Sequence, residues 1–405
     1  MRPGEAAAAL MRGVAHGVGR LYLAAFSRQY WRDIPRPAGQ RSVVRGVGPD
    51  PDRVLLSGSG SAVGWGVLTH DLALGGYLAR HVSAATGRGT DVEVIAGPRL
   101  SMRSMGRVLT PETIARYDAI VLTLGTREAF EWMPTSTWRA LLTRLLDQIA
   151  APGDHQPSVV VVGAEEITTA PLPRWLSDSA LQRAQNLNAA SRQVIAARDN
   201  VRYVDSAMPV GAREIGLVDA DKAALYSTAA AAIVPVLAAL LDGSPYRRSL
   251  PVDDGARQRA IDHLRGLPTG DARLGALLMT LRDMFDARSV DLFFVDHDVV
   301  TMLAATRGPL GTRPREGTAS AEALDHRRGL IVPDLSLDDR FNQRAEVIGP
   351  PHLRFYAAHP VESPEGHPVA VLTVVDAAPR VVSPAEAALL RQFAIRAEAI
   401  LFEGY

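Results

Sequence analysis

The turn Ser57-Gly58-Ser59-Gly60-Ser61 follows the apolar run Arg53–Leu56, and Ser59 and Ser61 could each offer a hydroxyl to an electrophile. A serine attacks only when a neighbouring base takes its proton. No histidine stands between His155 and His263 to serve as that base. His70 and His81 fall on one predicted helix, but at about 1.5 Å of rise per residue they stand roughly 16 Å apart and cannot share a metal ion. A second use of the same turn is anion binding, with the backbone N–H groups of Gly58, Ser59 and Gly60 beside Arg127 holding a carboxylate or a phosphate. The simpler readings are that the Gly/Ser turn only satisfies backbone geometry and that Arg127 is solvated or paired with Glu128. The chain has no cysteine, which excludes disulfides, thiolate zinc sites and cysteine nucleophiles. Neither a metal site nor a cofactor is expected.

The elements that must position these residues begin after a Pro/Gly/Arg-rich stretch, Pro35–Asp52, read as a linker. Short apolar runs at Arg53–Leu56, Val92–Ala96, Ala119–Leu124, Ser158–Val162 and Asn200–Val204 alternate with helical stretches such as Leu72–Val82 and Trp138–Ile149. Buried strands alternating with helices predict a parallel sheet covered on both faces. The last helix of this part, Lys222–Leu241, is almost wholly apolar and must be largely buried.

The stretch 53–243 resembles an SGNH hydrolase of the GDSL esterase group, which implies a flavodoxin-like, three-layer α/β fold and acyl-transfer chemistry. In that family a Gly-Asp-Ser turn carries the nucleophile, a glycine and an asparagine give oxyanion donors, and an Asp-x-x-His pair precedes the last helix. Here Leu55-Leu56-Ser57-Gly58-Ser59-Gly60 and the Gly64-Trp65-Gly66 anchor put Ser59 in the place of the aspartate and Gly60 in the place of the nucleophile. The oxyanion glycine would fall near Gly97 or Ser101. In Gly125-Thr126-Arg127-Glu128, Arg127 replaces the asparagine and Glu128 the aspartate; Lys222 or Leu225 fills the histidine position after Asp219-Ala220-Asp221. Loss of single triad members costs orders of magnitude in rate, so the resemblance implies a pseudo-hydrolase. The alternative is an active ester or acyl hydrolase in which Ser59 or Ser61 is a displaced nucleophile.

Residues 244–255 read as a linker, and the order of elements then changes. Leu274, Leu277, Leu278, Leu281, Met284 and Phe285 make one helical stripe, and strands are expected at Val290–Val295, Val299–Ala304, Phe355–Val361 and Val369–Val375, with Ala385–Phe402 as a closing helix. Helices bracketing hairpin-like strands predict an α+β module with an antiparallel sheet. An ordered series of motifs, Val332-Pro333-Asp334, Asp338-Asp339-Arg340-Phe341, Arg354-Phe355-Tyr356-Ala357 and Pro364-Glu365-Gly366, makes 256–405 resemble a GAF domain. That resemblance implies a small-ligand sensor with a pocket between the sheet and its covering helices, for which Phe294, Tyr356 and His359 are candidate lining residues. It also implies dimerisation through flanking helices such as Ala385–Phe402. Thr318-Ala319-Ser320-Ala321 stands where related domains carry a cysteine, which excludes covalent bilin attachment. Asp334, Asp338 and Asp339 suit Asx turns and caps, with Arg340 and Arg354 placed to pair with them.

Over the 405 residues, 44 basic and 44 acidic side chains cancel, so no global field draws the chain to nucleic acid. No uninterrupted apolar run of about 20 residues is evident, and no integral membrane segment is expected. In Ala6–Phe26 the residues Leu10, Val14, Val18 and Leu21 follow helical spacing, beside Arg12 and Arg20, which fits a leader helix on the domain behind it or an interfacial helix. The expectation is a cytoplasmic, two-domain regulatory protein (1–52 helix and linker, 53–243, 244–255, 256–405) that binds a small molecule or a protein partner.

Overall fold

The computed structural model describes residues 34–39, 41–150, 156–165, 174–207, 219–244, 254–326 and 329–405. The Ala6–Phe26 segment, most of the 244–255 linker and the side chains of Asp219, Asp221 and Lys222 lie outside the described residues. Two compact units are built chiefly from the residues up to Ser244 and from Pro245 onward.

The first unit is a six-stranded sheet in the order β1-β3-β2-β4-β5-β6. Its strands are β1 (Arg41–Gly46), β2 (Asp52–Gly58), β3 (Thr90–Ala96), β4 (Ala119–Thr123), β5 (Ser158–Val162) and β6 (Val201–Val204). All neighbours pair in parallel except β1, which runs antiparallel to β3. β1 lies within the stretch read as a linker: its six residues sit between Pro/Gly-rich flanks, so no apolar run announces it. Helices α1 (Leu74–Thr86), α2 (Met102–Val108), α3 (Thr126–Phe130), α4 (Thr135–Ile149), α5 (Arg174–Ile195) and α6 (Asp219–Asp242) cover the two faces. Val54 and Leu56 enter one core with Leu78 and Val82 of α1 and Ile233 and Leu237 of α6. Leu55, Ile120 and Leu122 enter the other, with Met105 of α2 and Trp138 and Leu142 of α4. Because successive strand side chains point to opposite faces, strands buried on both sides read as continuous apolar runs.

α6 departs from the sequence expectation in one respect. Its Ala223–Asp242 segment is, among the described residues, one helix long and apolar enough to cross a membrane by length and composition. Its stripe of Tyr226, Ala230, Ile233 and Leu237 is nonetheless packed in the sheet's core.

The second unit is an all-antiparallel sheet in the order β10-β11-β12-β7-β8-β9. It comprises β7 (Ser289–Val295), β8 (Val299–Ala305), β9 (Thr312–Pro314), β10 (Leu330–Val332), β11 (Phe355–Glu362) and β12 (Pro368–Asp376). Helices α7 (Asp254–Gly266), α8 (Ala272–Phe285) and α11 (Pro384–Leu401) pack on one face; the short helices α9 (Ala319–Leu324) and α10 (Ala345–Ile348) lie on the other. The start of α11 is set by Ser383 and Glu386, each accepting the other's backbone N–H in a capping box. Leu274, Leu278, Leu281 and Phe285 of α8 are buried as the stripe requires, whereas Met284 is exposed, one helical step off that face.

Candidate functional site

In the first unit the C-terminal ends of the strands converge on the turn after β2. Gly58 is flanked by Ala96 of β3 and Thr123 of β4, and α1 and α2 leave toward opposite faces. Such a divergence opens a crevice at the strand ends. The turn is tightly held: the Ser59 N–H donates to the Thr123 carbonyl at 2.9 Å, and the Thr123 hydroxyl donates to the Ser59 carbonyl at 2.8 Å. A Cβ on Gly58 would lie 2.2 Å from the Thr123 carbonyl oxygen, so glycine is required by close approach.

The two candidate serines meet different surroundings. The Ser59 hydroxyl is buried without a hydrogen-bond partner. The Ser61 N–H donates to Glu165 Oε1 at 2.7 Å, and the Ser61 hydroxyl faces the same carboxylate. At Gly60, where φ is +64°, a Cβ would come within 3.0 Å of Glu165 Oε1. Glu165 as a residue is half-buried, yet its carboxyl group is enclosed; burial raises its pKa, against the opposing hydrogen bonds from Ser61. The chain's own carboxylate thus occupies an amide of the turn. Sequence reading passed over this residue, although Gly163-Ala164-Glu165 directly follows the end of β5 and so belongs to the same edge.

Arg127, assigned with Gly58, Ser59 and Gly60 to one anion site, makes its contacts elsewhere. Its Nε donates to Glu131 Oε1 at 2.8 Å and its Nη1 to the Pro98 carbonyl at 3.2 Å. Glu128 is not its partner. Fully buried, Glu128 accepts from the Met102 N–H at 2.6 Å and the Gly125 N–H at 2.9 Å, clamping the start of α2 to the start of α3. Burial raises the Glu128 pKa, and those amide bonds oppose the rise. His70 is buried with neither ring nitrogen bonded, and desolvation lowers its pKa despite neighbouring Asp71. Neither Ser59 nor His70 therefore belongs to a serine–imidazole pair.

In the second unit the candidate pocket residues are divided between two faces. Phe294 packs with the α7, α8 and α11 side of the sheet, and Tyr356 with the α9 and α10 side. His359 alternates with Ala358 and so shares the side of Phe294; its Nδ1 lies 2.8 Å from the Pro360 carbonyl. Grouping the three by sequence failed because the register joining β7 to β11 runs through β12. Tyr356 pairs with Val375, and Val375 with Ser289, which aligns Tyr356 with Asp291 and Phe293.

Around Tyr356 the α9/α10 face carries a polar group of residues that sequence reading did not single out. The phenol oxygen is buried without a well-formed hydrogen bond, and the Ser320 side chain lies beside it and acts to lower its pKa. Burial raises the Tyr356 pKa, and Arg313, Arg344 and Asp291 are all within electrostatic reach. Asp291 is raised as well, by burial, with the Ser289 hydroxyl bonded to its Oδ1 at 2.7 Å. Arg313 lies over the Phe293 ring at 4.8 Å and Arg344 over the Phe341 ring at 4.4 Å. Of these residues Arg344 lines a cleft of about 560 Å³, together with His297, Arg315, Thr318 and Glu322.

The loop motifs have structural roles. Asp334 accepts from the Ser336 N–H at 3.0 Å, Asp338 takes Arg340 through two oxygens, and Asp339 accepts from Asn342 at 3.3 Å. Arg354 departs from its expected pairing and donates to the carbonyls of Val347 and Leu353, because it heads β11 behind α10.

No protein-family model matches the chain. Over 146 residues it is 30% identical to a cyclic di-GMP phosphodiesterase of Pseudomonas aeruginosa, an overlap of 36% of this chain and 25% of that protein. The chain therefore spans about a quarter of the length of this curated relative. Among solved structures it is similar to the GAF domain of an Acinetobacter phosphoenolpyruvate-protein phosphotransferase, with 13% identity and a TM-score of 0.29, covering 36% of this chain and 90% of that one. It is also similar to the M. smegmatis aryl esterase, with 15% identity and a TM-score of 0.37, covering 47% of this chain and 99% of that one. Its structural neighbours thus include GAF domains and an aryl esterase.

Proposed function

We propose that the chain is a sensory protein whose second unit, a GAF domain, takes a small ligand in the cleft lined by α9, the 297–298 turn, residues 314–318 and Arg344. The first unit is an SGNH-hydrolase-like domain without hydrolytic chemistry, and the protein works in the cytoplasm. The observation that carries the sensory reading is the cleft of about 560 Å³ whose lining includes Arg344, with its Nη1 buried and unbonded. A few convergent polar groups are what fix a small ligand's orientation. The 30% identity with a cyclic di-GMP phosphodiesterase over 146 residues supports a regulatory role. Native mass spectrometry of the purified chain tests it: a co-purified small molecule that is lost when Ala321→Trp fills the cleft is expected, and its retention by that variant refutes the site.

The loss of hydrolysis rests on the unbonded Ser59 hydroxyl, the unbonded His70 imidazole and the carboxylate seated on the Ser61 amide. One observation favours the alternative of a true ester hydrolase: Ser61 faces Glu165, a carboxylate that could accept its proton. A chromogenic short-acyl ester separates the two, with no turnover above background expected. Turnover abolished by Ser61→Ala or Glu165→Gln establishes the hydrolase instead. A homodimer through α11 would have to use the faces left after Leu390, Phe393, Ala394, Ala397 and Leu401 enter the core, and light scattering decides it.

A further inference from the structure

We propose that the ligand of the second unit carries an anionic oxygen group, a carboxylate or a phosphate, bound by the Arg344 guanidinium on the wall of the cleft, on the side toward the buried Tyr356 hydroxyl. This rests on the sensory reading and adds the ligand's chemical class. Two independent observations on one sheet face carry it. Arg344 Nη1 is buried with no hydrogen-bond partner, and so is the Tyr356 phenol oxygen. Guanidinium and phenol are within electrostatic reach of each other and of Arg313. Buried polar atoms are almost always bonded, and an unpaired one costs its full desolvation. An unbonded guanidinium N–H on a cleft wall, with an unbonded phenol in electrostatic reach, therefore lacks an acceptor with negative charge.

The local chain explains why Arg344 is held ready. It precedes α10, and its guanidinium lies over the Phe341 ring, with Arg340 on the same ring at 4.9 Å. None of the neighbouring acids bonds Nη1. Glu322 is bonded by Arg340 and His326, Asp338 by Arg340, and Glu346 is in electrostatic reach only. Burial lowers the Arg344 pKa, against the opposing pull of Glu346 and Glu322. Arg315 is the other arginine lining the cleft, and Asp298, Glu316, Glu322 and Asp325 are its acids. The anionic group therefore goes to Arg344, and the rest of the ligand presents donors to those acids.

Hydrogen–deuterium exchange on the full chain tests this with inorganic phosphate, propionate and the neutral isostere propionamide as probes. Phosphate or propionate is expected to protect the peptides spanning 313–324 and 341–358, and the arm that protects more strongly names the group. Arg344→Gln is expected to abolish the protection, and Tyr356→Phe to weaken binding about tenfold. Since the phenol oxygen is unbonded in the free chain, Tyr356→Phe is expected to keep or raise the melting temperature; a fall would show that the hydroxyl is structural and overturn the inference. Equal protection by propionamide, or protection unchanged in Arg344→Gln, also overturns it while leaving the cleft as a binding site. If no probe protects these peptides, the anion inference falls, and a co-purified ligand absent from the cleft would take the sensory reading with it.

Discussion

Glu128 is a carboxylate kept from water by the protein around it, and its two oxygens are each committed to a backbone N–H. Glutamine in its place would turn an –NH₂ group toward one of those donors. Glu128→Gln is therefore expected to destabilise the first unit by about 1–3 kcal/mol, read as a lower urea midpoint. At Gly58 the constraint is steric: Gly58→Ala drives a methyl into the Thr123 carbonyl and should cost on the order of 3 kcal/mol, with loss of soluble first unit on limited proteolysis. Glu165 gives a pH prediction. Its carboxyl is raised by burial, so the folded state holds that proton more firmly than the unfolded chain does. The stabilising contribution is complete below the unfolded value of about 4.3 and declines as pH rises through the higher folded value. Urea midpoints of wild type and Glu165→Gln should diverge in that window, the wild type falling relative to the variant. Curves that stay parallel would show that the carboxyl is not desolvated.

Among the elements, α6 offers the sharpest test. A helix apolar enough for a membrane but packed by Ile233 and Leu237 on a sheet should respond to cavities as a core helix does. Leu237→Ala should cost about 2–5 kcal/mol in chemical unfolding, while Ala239→Ser on the exposed side changes little. The parallel strands were legible because burial on both faces writes unbroken apolar runs such as Ser158–Val162. β1, β9 and β10 were not, since strands of three to six residues beside glycine and proline carry too few positions for a period to emerge. Legibility also stopped at register. Phe294 and Tyr356 each read as buried aromatics, but which face each takes relative to the other depends on hydrogen-bond pairing across β12, which no single strand encodes. Arg344, which reaches the Tyr356 face from a loop, gave no local signal of that place, whereas Glu165 just after the end of β5 carried one in its position at the sheet edge.

At the scale of the whole molecule, two units with separate cores predict two separable unfolding transitions. A ligand held only by the second sheet should raise only that unit's transition, by about 2.7 kcal/mol at a hundredfold excess over its Kd. Differential scanning calorimetry with and without ligand reads this directly, and an equal shift of both transitions would place binding elsewhere. The seat of Glu165 on the Ser61 amide has a consequence for anything else offered to the first unit. A tethered occupant competes at an effective concentration that no dilution lowers. Outside acids will therefore register there as feeble, pH-sensitive visitors, and removing the resident by Glu165→Ala would make the vacated turn's own appetite measurable for the first time.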